Sequence, residues 1–121
     1  MKEVNQERVN RLIEGIASFG KSEKGITRLA YSQEDFAAQK WLLEQIADLK
    51  LTVTQDAIGN TFLRREGRNS ELEPVAMGSH LDTVAQGGAY DGVLGVVGAL
   101  EVLYMLQNEE IERPVETIIF R

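Results

Sequence analysis

The sequence predicts an α/β fold, a mostly parallel sheet with helices on both faces. Three observations carry that expectation. Residues 93–106 form a nearly all-apolar run with helical length. Short apolar segments flank it at 75–77 and 115–120. A buried helix between two strands is the pattern of a βαβ crossover, and a crossover implies parallel strands with covered faces. Two amphipathic helical patterns come before it. At 121 residues, 43% hydrophobic and 26% charged, the chain has the composition of one globular domain or part of one.

Taken in order, Val9, Leu12, Ile13, Ile16 and Phe19 recur at helical spacing, so residues 3–19 predict an amphipathic helix stopped by Gly20. Residues 21–30 are a polar connector in which Thr27, Arg28 and Leu29 have no compositional explanation. Ser32 suits an N-cap, with Asp35 three residues on in a near capping box. Ala38, Trp41, Leu42, Ile46 and Leu49 then make a second apolar stripe over 33–49, with Trp41 in the core. Residues 51–54 and 61–64 alternate as half-buried strands around the turn-forming 56–60. Pro74 and Pro114 each precede a strand, where a missing N–H does least harm. The 93–106 helix lacks a polar face and carries Gly92, Gly95 and Gly98 near its start. Glycine costs about 1 kcal/mol relative to alanine in a helix, so close packing is expected there.

The charge balance excludes several classes. Net charge is -6 with a sequence pI of about 4.8, and no basic cluster is present, so neither nucleic acid nor an anionic membrane is an expected partner. No apolar run reaches the about 18 residues of a membrane span, and the N-terminus lacks the pattern of a signal peptide, so a cytoplasmic location is expected. With no cysteine, disulfides and thiolate metal sites are excluded.

Candidate chemistry concentrates in 78–101, GSHLDTVAQGGAYDGVLGVVGALE. His80, the only histidine, follows the strand at 75–77, where open α/β sheets carry their ligands. Asp82 is placed to accept a hydrogen bond from the second ring nitrogen, the usual partner of a metal-bound imidazole. Asp91 returns across Gly87 and Gly88, which permit a sharp turn. One imidazole and a carboxylate suit zinc, manganese, cobalt or nickel rather than calcium. A carboxylate bridging two ions suits a two-metal hydrolytic site. The glycines at 92, 95 and 98 do not form a dinucleotide fingerprint, and Ser79 has no histidine base. Ser79, Thr83 and Tyr90 are expected to serve as loop hydrogen bonders.

GSHLDTV at 78–84, GGAYDGVLGV at 87–96 and ALE at 99–101 closely resemble the metal-dependent amidohydrolases that include N-carbamoyl-L-amino-acid hydrolase, allantoate amidohydrolase and β-ureidopropionase. The resemblance extends to GITRLAYS at 25–32 and DAIGN at 56–60, so it covers nearly the whole chain. It implies a three-layer, dimetal aminopeptidase-like catalytic domain with an inserted dimerisation domain, and hydrolysis of carbamoyl or ureido C–N bonds of a small molecule. It makes His80 a ligand of one of two divalent ions (Zn, Mn, Co or Ni), Asp91 the bridge between them, and Asp82 the residue that orients His80. It assigns no individual role to Asp56 or Asn60. The paired-glutamate motif with the general base, two further histidine ligands and the dimerisation domain have no counterpart in the chain. The expectation is therefore that residues 1–121 are the N-terminal segment of such a catalytic domain, inactive alone, from a homodimeric enzyme. A peptidase or aminoacylase of the related branch, and a truncated non-catalytic interaction module, are the alternatives.

Overall fold

The computed structural model describes residues 2–121. Helix α1 is Gln6–Ala17. It starts later than the expected residue 3 because Asn5 takes the cap, its side chain accepting from the Arg8 N–H at 3.0 Å. The connector then folds into a two-residue ladder of β1 (Lys21–Ser22) and β2 (Gly25–Ile26). Helix α2 is Gln33–Gln45, capped as expected by Ser32, whose hydroxyl accepts from the Asp35 N–H at 3.2 Å. The predicted helix end at 49 is instead a 3-10 turn, Ala47–Leu49, closed by Lys50 in the left-handed region at φ 53°. Strands β3 (Thr52–Gln55), β4 (Thr61–Arg65) and β5 (Val75–His80) follow, then α3 (Val93–Met105) and β6 (Val115–Phe120).

The α/β class and the crossover hold, while the strand directions differ from expectation. The sheet order is β3-β4-β6-β5. Only β5 and β6 pair in parallel, with α3 crossing between them. The β3–β4 and β4–β6 pairs are antiparallel. The loop from β3 to β4 is too short for a crossover, so that hairpin has to be antiparallel.

Helices on both faces are not what the described residues show. Leu63 of β4 and Val115 and Ile119 of β6 are buried with Leu12 of α1, Leu42 of α2 and Leu100 of α3 in one core. Gln39 of α2 reaches the same face, donating to the Thr61 hydroxyl. On the opposite face Phe62 stands opposite Ile118, and Ile118 opposite Gly78. These residues, with Ala76 and Phe120, are half-buried or exposed. Alternating burial along β4 and β6 is the signature of a sheet covered on one side. The crossover alone had suggested two covered faces.

Polar contacts fix the helices on that core. The Glu101 carboxylate of α3 accepts from Arg8 Nε at 2.8 Å, Arg8 Nη2 at 2.9 Å and the Asn5 N–H at 2.8 Å. Arg8 also lies 3.8 Å over the Tyr104 ring, and the Tyr104 hydroxyl donates to Asp48 at 2.8 Å. Trp41 is half-buried, its ring pressed on α1 where Gly15 leaves room: a Cβ there would fall 1.9 Å from Trp41 Cη2.

Candidate metal centre

Strand β5 runs on to His80, which pairs opposite Phe120 as the last residue of the strand. His80 is thus held by the sheet itself rather than by the loop beyond it. The chain then doubles back to α3. Gln86, with φ 53°, makes the reversal, and Gly87 bridges to Ile26 through a reciprocal pair of backbone bonds at 2.8 and 2.9 Å. Gly88 has nothing within 4 Å of an added Cβ, so the turn expected of the glycine pair is made next door. Gly92 caps α3 at φ 72°. A Cβ on it would stand 2.4 Å from His80 Cε1 and 2.5 Å from Nδ1. Glycine is required there twice over, by its backbone conformation and by the ring against it. Gly95 packs against Ser79, while Gly98 meets nothing and has no such reason.

This arrangement brings His80, Asp82 and Asp91 together around a cleft of about 140 Å³. His80 Nδ1 lies 2.9 Å from the Asp82 backbone carbonyl and 3.5 Å from its Oδ1. A carbonyl only accepts, so Nδ1 carries the hydrogen. Asp82 therefore orients the ring mainly through its main chain, where its carboxylate had been expected to do so. With the ring neutral, Nε2 presents a lone pair 3.3 Å from Asp91 Oδ1, and an imidazole lone pair facing a carboxylate oxygen can share a cation. Two ligands about 2.1 Å from one tetrahedral ion sit about 3.4 Å apart, which matches that separation. The imidazole side chain is 41% exposed and the Asp91 side chain 82%, so both remain reachable. Among the described residues no three His, Asp or Glu side chains gather as a ligand set. What is present fits part of a metal site. A larger groove, about 530 Å³ around Phe36, Leu43 and Gln55, lies away from the imidazole, and we place no chemistry in it.

The two motif residues without an individual role now have one. Asp56 Oδ1 accepts from the Ile58, Gly59 and Asn60 N–H groups, and Asp56 Oδ2 accepts from Asn60 Nδ2 at 2.8 Å. The Asn60 side chain, followed by those backbone donors, holds the Asp56 carboxyl below its ordinary range. Asn60 Oδ1 in turn accepts from the Arg121 N–H at 2.8 Å, fixing the end of β6 beside His80. Arg121 pairs with buried Asp35, and Tyr31 donates to the Ile58 carbonyl at 2.6 Å. Sequence reasoning gave Arg28 and Tyr31 no role as supports of the site, and their signal was the motif stretch GITRLAYS at 25–32. It gave Asp35 only a place in the helix cap and Thr83 only that of a loop hydrogen bonder.

The fold and site define an α/β chain with an imidazole–carboxylate pair at the carboxyl end of a crossover strand, the edge at which such sheets carry ligands. Residues 60–121, just over half of the chain, match the sequence model of Peptidase family M28, and the chain belongs to that family. It is 40% identical over 93% of its length to the N-carbamoyl-L-amino-acid amidohydrolase of Paenarthrobacter aurescens. It is 39% identical over 97% of its length to the ureidoglycolate hydrolase of Oryza sativa. The crystal structure of a hydantoinase/carbamoylase family amidase from Burkholderia multivorans superposes with a TM-score of 0.92, at 36% identity over 98% of the chain. The chain spans 28% and 25% of the two relatives and 29% of that structure. No helix among the described residues is long and apolar enough to cross a membrane.

Proposed function

We propose that the chain is the first segment of the catalytic domain of a dimetal amidohydrolase that cleaves the carbamoyl or ureido C–N bond of a small molecule. The observation that carries this is the facing pair of His80 Nε2 and Asp91 Oδ1, 3.3 Å apart at the carboxyl end of β5. The names of the relatives support the bond type. His80 would hold one divalent ion through Nε2, Asp91 would hold the same ion and reach a second, and the Asp82 carbonyl would keep the hydrogen on Nδ1. Zinc, manganese, cobalt or nickel in that site would polarise the scissile carbonyl as a Lewis acid. The exposed Asp91 carboxylate leaves the open side of the cleft to substrate. A homodimer, which rests on the resemblance, and a cytoplasmic location, which rests on the sequence pattern, are part of the same proposal.

Catalytic zinc sites use about three protein ligands, and the described residues gather two, so the 121 residues by themselves should show no turnover. The protein encoded by the whole reading frame around this chain should release ammonia from N-carbamoyl amino acids or ureidoglycolate. A chelator should abolish that release and added manganese or zinc restore it. Hydrolysis of dipeptides with no action on carbamoyl or ureido compounds would replace this reading with a peptidase.

A further inference from the structure

We propose that Arg28 and Thr83 form a clamp that fixes the orientation and tautomer of His80, acting through the peptide between Asp82 and Thr83. That peptide has a partner at each end. Its carbonyl, from Asp82, faces His80 Nδ1 at 2.9 Å. Its N–H, from Thr83, donates to the Arg28 carbonyl at 2.8 Å. A trans peptide is planar, with N–H and C=O pointing in opposite directions, so anchoring the N–H aims the carbonyl.

Arg28 grips both sides of this plane. Its Nε donates to the Leu81 carbonyl at 2.8 Å, one residue before. Its backbone N–H donates to Thr83 Oγ1 at 2.8 Å, and that hydroxyl donates onward to the Ile26 carbonyl at 2.9 Å. The far end of the guanidinium is itself anchored. Nη1 donates to the Ile16 and Phe19 carbonyls at 2.9 and 2.8 Å, at the carboxyl end of α1, where the helix dipole favours a cation. Arg28 is 0% exposed, and its hydrogen bonds run to carbonyls rather than to a carboxylate. Burying a guanidinium is costly. Capping α1 accounts for Nη1 but leaves the Nε bond to Leu81 without a purpose, and the clamp supplies one. Arg28 and Thr83 are positioning residues: Thr83 borders the cleft and Arg28 lies outside it, and both act on the ring through the Asp82 carbonyl.

The benefit of a fixed tautomer rests on reading His80 as a metal ligand through Nε2, and the test separates the two ideas. The chain has one histidine, so ring-nitrogen NMR of the labelled chain reports His80 alone. With the ring neutral, the wild type should show the hydrogen on Nδ1. Thr83→Val should give a mixture of tautomers and weaken zinc binding, followed on the same signals, by about 10-fold or more. Thr83→Ser, which keeps the hydroxyl, should restore both. Arg28→Lys should behave as Thr83→Val, and the Thr83 pair decides the matter if that variant does not fold. A wild-type ring protonated at Nε2 would overturn the clamp. So would a Thr83→Val protein with an unchanged tautomer. If the tautomer responds as stated while zinc leaves the wild-type signals unmoved, the clamp stands and the two ligands of this segment do not hold zinc alone. The metal reading then stands or falls on the chelator test of the protein from the whole reading frame.

Discussion

Gly92 joins the beginning of α3 to the imidazole. Its φ of 72° and the 2.4 Å approach of a virtual Cβ to His80 Cε1 mean that no side chain fits without moving the ring or the helix. Alanine at a positive φ also destabilises through the backbone alone. Gly92→Ala should therefore cost at least about 1 kcal/mol in chemical denaturation. It should also displace the His80 ring signals, because the added methyl points at the imidazole. Gly98→Ala is the internal control. Nothing lies within 4 Å of its virtual Cβ, and alanine is the better helix former, so that variant should gain stability. Equal losses for the two would mean that Gly92 does not pack on the ring. From sequence the three glycines looked alike; a positive φ and the imidazole set Gly92 apart, Ser79 packs on Gly95, and Gly98 meets nothing.

At the scale of elements, α1 and α3 are joined by one buried ion pair, and its pH dependence can be signed. Burial pushes the Glu101 carboxyl up, but the Arg8 hydrogen bonds, the Asn5 N–H and the Arg8 charge outweigh it and hold it below the ordinary carboxylate range. A carboxyl depressed in the folded state stabilises above its unfolded pKa, and that stability is lost as pH falls through the folded pKa. Glu101→Gln should thus lower stability at neutral pH by about 2 kcal/mol and flatten the acid limb of stability against pH. An acid limb identical to wild type would place the relevant carboxylates elsewhere. The neighbouring Tyr104 hydroxyl, pushed up to about 12 by burial and by its bond to Asp48, stays neutral throughout that range. This tie explains why α3, apolar at Val96, Val97, Leu100 and Leu103, carries a buried acid. Which segments are helices and strands was legible from periodicity, and β6 emerged with its expected bounds. Their ends were less so. Asn5 shortens α1, Lys50 breaks the run after α2, and pairing with β6 extends β5 to His80, and these are matters of cap geometry and partner strand.

For the whole molecule, the candidate residues His80, Asp82 and Asp91 stood out in the sequence because they lie close together, at the end of β5 and in the loop after it, with few competitors. Their support was not, because Arg28 and Asn60 act across 53 and 61 residues of chain, through backbone groups that no side-chain pattern displays. Strand direction was hidden for a similar reason: the crossover speaks for β5 and β6 only, and β4 lies against β6 the other way. The result is a sheet with all its helices on one face. On the other, Phe62, Gly78, Ile118 and Phe120 form a patch of partly exposed apolar surface next to β5, an edge strand with unpaired backbone groups. Exposed apolar patches and open edges drive association. The isolated 121-residue chain should therefore self-associate, its light-scattering mass rising with concentration. Phe120 is 46% exposed on that patch, so Phe120→Lys should shift the association to higher concentration without moving the thermal transition by more than about 0.5 kcal/mol equivalent. A wild-type chain that stays monomeric at every concentration would show that this face tolerates water, and that the half-covered sheet is a finished surface.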